Sequence, residues 1–214
     1  MKFARRSFVG AVVALAAAFA VALPSFAQSV GKDYTLISPA QPTDDAGKIE
    51  VIEFFSYGCP HCAEFNPLLA AWVAKLPSDV VIKKVPVTFG RAAWANIARL
   101  YYTLEVTGDV ARLESDIFKA IHNDHTNLFE ERAVVEWVSK KGIDAKKFTD
   151  IYNSFGVNSK VKRGDQQAQV YKIQGVPTLV VEGKFLVTGR DFNDQLAIAD
   201  KLIAKARAEK SGKK

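Results

Sequence analysis

The segment Cys59-Pro60-His61-Cys62 holds the only two cysteines of the chain, with a proline and a histidine between them. Two thiols at this spacing can close a small disulfide ring and reopen it, because the intervening turn keeps both sulfurs within bonding reach. The first sulfur gains most if a helix begins there, since unpaired backbone N–H groups and the positive end of the helix dipole stabilise a thiolate. His61 adds a second donor or cation close to the same sulfur. A stabilised thiolate leaves well, so a Cys59–Cys62 disulfide is open to attack at Cys59 and is readily surrendered. Stabilising the reduced form by a factor of about 10³ raises a two-electron potential by about 90 mV, at about 30 mV per tenfold.

Other uses of a Cys-x-x-Cys pair fit less well. A structural disulfide gains stability from a long enclosed loop, and this one encloses two residues. Covalent haem attachment requires histidine directly after the second cysteine, where the chain has Ala63. A structural zinc site requires four ligands, which His122 and His125 would have to complete; those two histidines read instead as surface residues at a helix end. No bound cofactor or metal is called for. A further candidate is Glu53, which interrupts the apolar run Val51-Ile52-Glu53-Phe54-Phe55 six residues before Cys59. A buried carboxylate is costly unless it works or is paired. Glu53 therefore either takes the proton of Cys62 when that thiol attacks a mixed disulfide, or sits on a solvated strand face or paired with Lys83 or Lys84.

Around these residues the pattern alternates between two regimes. Residues 34–37 look like a short strand, followed by a Pro/Asp/Gly-rich connection, and residues 49–56 form a nearly continuous apolar run expected for a strand buried on both faces. Beyond the motif Phe65, Leu68, Leu69, Trp72, Val73 and Leu76 recur at helical spacing, which puts Cys59 at or near the first turn of a helix that Pro67 would bend. Residues 80–89 read as a strand, with Pro86 marking an edge or irregular end. Strand, helix and strand in this order predict a parallel pair. Four helical stripes follow: Trp94, Ile97, Tyr101 and Leu104; Leu113, Ile117, Phe118 and Ile121; Val134, Val135 and Val138, capped by Gly142; and Phe148, Ile151, Tyr152 and Phe155. After Gly175-Val176-Pro177 a hairpin is expected from residues 178–181 and 184–187, then a last helix over about 193–209.

At the N-terminus Lys2, Arg5 and Arg6 precede a 16-residue apolar run over 8–23 that ends in Pro24-Ser25-Phe26-Ala27. The run is short for a spanning helix of roughly 20 residues, and residues 1–27 are expected to be a secretory signal peptide cleaved after about Ala27. Arg5-Arg6 leaves both the general and the twin-arginine export routes open. Without that segment 26 basic residues face 23 acidic ones. This mild balance, with no basic cluster beyond a solvated tail over 205–214, excludes nucleic acid as a partner.

The run Glu53-Phe54-Phe55-Ser56-Tyr57-Gly58-Cys59-Pro60-His61-Cys62, together with Gly175-Val176-Pro177-Thr178, resembles the DsbA family of periplasmic thiol-disulfide oxidoreductases. The resemblance extends to the order of segments beyond the signal. It implies an α/β thioredoxin fold with an inserted all-helical domain: a thioredoxin-like domain over 28–90 and 170–214, and an insertion over 91–169. It makes Cys59 the exposed sulfur that forms mixed disulfides, Cys62 the buried resolving sulfur, His61 a tuner of the Cys59 thiolate and Glu53 the family's buried acid. Pro177 would be its cis-proline, and Val176 would offer backbone hydrogen bonds to an extended substrate segment. Tyr57 and Gly58 stand where some members carry bulkier or more aromatic pairs. The activity implied is donation of the disulfide to newly exported proteins in the periplasm, followed by reoxidation by a DsbB-like membrane quinone oxidoreductase. A monomer is expected, since no apolar stripe is left over. Two rivals stand beside this reading: a reductase or isomerase on the same fold, and a non-catalytic chaperone or binding module.

Overall fold

The computed structural model describes residues 29–212, so the expected signal peptide over 1–27 lies outside the described residues. The chain forms β1 (Tyr34–Leu36), β2 (Ile49–Phe55), α1 (Pro60–Val73) and β3 (Val80–Pro86), then five helices. These are α2 (Ala92–Thr107), α3 (Val110–His122), α4 (Glu131–Lys140), α5 (Ala145–Tyr152) and α6 (Phe155–Val170). The hairpin β4 (Thr178–Val181) and β5 (Phe185–Val187) and the long α7 (Phe192–Ser211) complete it. The sheet order is β1-β5-β4-β2-β3, with β2 and β3 parallel and the other pairs antiparallel. This is a thioredoxin fold with a helical insertion.

Every residue of β2 is buried, as its nearly continuous apolar run, broken by Glu50 and Glu53, demands of a strand covered on both faces. Because side chains alternate, Ile49 and Val51 join the core made with Phe65, Leu69 and the α7 residues Leu196, Ala199 and Leu202. Ile52 and Phe54 point the other way, onto Ala168, Tyr171 and Ile173 at the end of α6. Glu53 shares the parity of Val51 and Phe55, so it faces the α1 side. The parallel crossover carries the chain from β2 through α1 to β3, which lies at the sheet edge and ends at Pro86. The expected extension to Phe89 is replaced by a turn in which Phe89 and Gly90 have φ of 47° and 75°.

Between β3 and β4 the helices pack around Leu100, Leu104, Leu113, Ile117, Val134, Val138, Phe148 and Tyr152, a core that runs on without a break to Phe55, Tyr57, Cys59 and Cys62. One expected stripe divides: Phe148 and Tyr152 are buried in α5, but Phe155 opens α6 and is 88% exposed. The break follows from Ser154, whose side chain accepts from the N–H of Val157 and caps a new helix. Gly142, with φ of 84°, stands just past α4 as expected of a left-handed stop.

Candidate active site

Cys59 is the N-cap residue of α1, in extended conformation, and Pro60 takes the first helical position, where its missing N–H costs nothing. The Cys59 carbonyl accepts from the N–H groups of Cys62 and Ala63, each at 3.1 Å, so the turn that holds the two sulfurs together is the first turn of the helix itself. Both thiols are free. Cys59 is more covered than expected, keeping 8% of its surface, while Cys62 keeps none. The cover comes from Val176, whose carbonyl oxygen accepts from Cys59 Sγ at 3.3 Å, and the Val176–Pro177 peptide is cis.

The two sulfurs have opposite electrostatics. Cys59 is held down at about 6, first by the hydrogen bond from the Cys62 thiol, then by backbone N–H groups of Cys62 and His61 and by the charge of His61, all against burial. Cys62 is pushed far up, chiefly by burial, then by its donation to Cys59 and by the negative charges of Cys59 and Glu53. Such a pair can present one sulfur as thiolate near neutral pH while keeping the other protonated. Thiolate absorbance at 240 nm in the reduced protein is therefore expected to rise with pH around a midpoint of about 6, from one sulfur per chain. A midpoint near 9 would contradict this account.

His61 is largely exposed, with Nδ1 3.3 Å from Glu64 Oε2. It lines an open groove of about 430 Å³ with Val176, Pro177, Arg190, Asp191, Phe192 and Gln195. The sequence-predicted residues Cys59, His61, Val176 and Pro177 thus meet at one surface, with Cys62 just beneath it.

Glu53 lies below, 1% exposed, so it is not on a solvated strand face; it is buried and paired, with Oε2 3.0 Å from Lys84 Nζ. Burial pushes its carboxyl up to about 7 against the pull of the Lys84 ammonium. Lys83 points elsewhere, to Glu50 and Asp44.

Several residues at the site carry no signal in the sequence. Glu114 on α3 shares Lys84 at 2.5 Å. His122 is not a surface residue: it is half-buried, with Nε2 2.7 Å from the Tyr57 carbonyl oxygen and its ring stacked on Phe118. Among the described residues no three His, Cys, Asp or Glu side chains gather as a metal set. The insertion also explains Gly58, where a Cβ would stand 2.9 Å from Trp94 Nε1, 3.0 Å from Phe129 Cε1 and 3.1 Å from Ile97 Cδ1. Trp94 and Ile97 belong to an ordinary helical stripe, and nothing in their spacing says that they press on the loop before Cys59.

A family model described as a DSBA-like thioredoxin domain matches residues 50–199. The thiol:disulfide interchange protein DsbA of Bordetella parapertussis is 38% identical over 201 residues, covering 92% of this chain and 95% of that protein. The DsbA of Burkholderia cepacia is 42% identical over 172 residues, 80% of each chain. The crystal structure of Pseudomonas aeruginosa DsbA superposes with a TM-score of 0.81 at 36% identity, covering 87% of this chain and 97% of that one. With its dithiol at the start of a thioredoxin helix, the chain belongs to the DSBA-like thioredoxin family and is a thiol-disulfide oxidoreductase.

Proposed function

We propose that the protein works as an oxidant, donating a Cys59–Cys62 disulfide to reduced proteins newly exported to the periplasm. A substrate thiolate attacks Cys59 Sγ, the Cys59–Cys62 bond breaks, and Cys62 leaves and takes up a proton. A second substrate thiolate then attacks the substrate sulfur of the mixed disulfide and expels Cys59 as a thiolate. The substrate has lost two electrons and gained a disulfide; the protein holds both electrons as its dithiol. Glu53, whose charge acts on Cys62, exchanges the proton that this sulfur gains on leaving and loses on attack. His61 helps to hold the Cys59 thiolate, and Val176 and Pro177 form the edge against which an extended substrate segment lies.

A DsbB-like membrane quinone oxidoreductase returns the pair to the disulfide, residues 1–27 direct export, and the protein acts as a monomer. Residues 28–90 and 170–214 serve as the redox domain, with 91–169 as the helical insertion beside it. The observation that carries the reading is the asymmetry of the sulfurs: Cys59 caps a helix and is favoured as thiolate, whereas Cys62 is buried and disfavoured. A stabilised reduced form makes an oxidant.

The decisive experiment is a redox equilibrium of Cys59–Cys62 against glutathione, read by trapping free thiols. A potential well above about −220 mV is expected; one near the thioredoxin value of about −270 mV would sink the oxidant and leave the reductase reading.

A further inference from the structure

Among the described residues Lys84 is the one cation paired with the two largely buried carboxylates Glu53 and Glu114. Its Nζ lies 3.0 Å from Glu53 Oε2 and 2.5 Å from Glu114 Oε1, with Asn66 Oδ1 at 3.4 Å. The side chains of Glu53, Lys84 and Glu114 are 1%, 15% and 18% exposed. Glu53 is faced by Lys84 from β3, Glu114 from α3, Cys62 from α1 and the buried phenols of Tyr57 and Tyr101. The phenols stay neutral, because burial raises both above their ordinary range. With one ammonium between two carboxylates, full ionisation leaves a net negative charge in a region of low dielectric. A proton resides there at lower cost than that charge does.

We infer that Glu114 is a positioning residue for the redox reaction: by competing for Lys84 it keeps Glu53 able to bind and release a proton. This rests on the reading of Glu53 as the group that exchanges protons with Cys62. The geometry supports the competition directly, because the contact from Lys84 to Glu114 is the shorter one and is a hydrogen bond. The contact to Glu53 Oε2 is an ion pair without hydrogen-bond alignment. Glu114's negative charge also acts on Glu53 in the direction that favours its protonated form. Since Glu114 comes from α3, the helical insertion sets a property of the dithiol without touching either sulfur.

The test is an NMR titration of Glu53 in the full reduced protein with ¹³C-labelled glutamate carboxyls, the Glu53 resonance being assigned by its loss in Glu53→Gln. Glu114→Gln leaves Lys84 to Glu53, so the Glu53 midpoint is expected to fall by about one pH unit. Glu114→Asp, which restores the charge, is expected to return it towards the wild-type value. A midpoint that stays in place or rises in Glu114→Gln overturns the inference. The rate at which Cys62 resolves a preformed mixed disulfide separates the two claims. If Glu53→Gln leaves that rate unchanged while Glu114→Gln still moves the midpoint, the competition for Lys84 stands and the role of Glu53 in proton exchange falls.

Discussion

Cys59→Ser is expected to lower disulfide donation to a reduced substrate protein by about 10³-fold or more, because Cys59 is the sulfur that the substrate attacks, and a unit that loses one essential member loses its function as a whole. A serine oxygen cannot enter the disulfide, so no oxidised form remains to be attacked. Cys62→Ser differs in kind: the Cys59 thiolate can still attack the disulfide of an oxidised substrate and expel its other sulfur as a thiolate, but nothing resolves the new bond from the protein's side, and mixed disulfides should accumulate. The loss in Cys59→Ser is not expected to come from unfolding. Cys59 is an N-cap whose side chain makes no capping hydrogen bond, and serine is among the preferred residues there. Thiol trapping of the substrate and a thermal melt of the variant decide the matter together. Retained activity in a folded Cys59→Ser protein would remove the dithiol from the mechanism and favour a chaperone or binding module.

The parts of the fold that were legible in the sequence are those specified locally. The run in β2 is largely apolar because both faces are covered, and Phe65, Leu69 and Trp72 recur at three and four because α1 has one buried side, whereas Leu68 and Val73 of the expected stripe lie exposed. Turn chemistry placed the hairpin and Gly142. Misreadings arose where a local rule competed with a neighbouring one: Phe155 continues the α5 periodicity, but Ser154 restarts the helix and turns Phe155 outward. The site was legible to the same extent. Cys59, Cys62 and His61 declare themselves by spacing, and Glu53 by interrupting an apolar strand.

What surrounds them does not, because each contact is long in sequence and carries no pattern. Lys84 reaches Glu114 across 30 positions, and His122 reaches the Tyr57 carbonyl across 65. A lysine on a half-buried edge strand and a histidine at a helix end look ordinary until the fold brings them beside the motif. Gly58 is a case in point: its conformation is unremarkable, and the requirement for glycine comes from Trp94, Ile97 and Phe129 of the insertion.

Lys84→Met is expected to cost about 3–5 kcal/mol near pH 7 to 8, because breaking a buried ion cluster from one side strands its remaining charges. At roughly 2–4 °C per kcal/mol for a chain of this size, the reduced protein should melt about 10 °C lower. Methionine keeps most of the volume and can still pack on Phe55, whose ring centroid lies 5.1 Å from Lys84 Nζ, so the loss is electrostatic first and steric second. That assigns it a pH dependence. The Glu53 carboxyl stands at about 7 in the folded protein against an ordinary 4.5. Its contribution to stability is therefore fully present below about 4.5 and is lost as pH rises through about 7. Removing Lys84 takes away the pull that holds Glu53 down, so its carboxyl rises further and the folded variant is penalised most where the unfolded chain ionises freely. Below pH 4.5 Glu53 is neutral in both states, and the buried ammonium of the wild type has lost that partner. The gap between the two melting curves should accordingly narrow as pH falls from 8 to 4. A gap of constant size would assign the loss to packing and leave Glu53 without an electrostatic tie to Lys84.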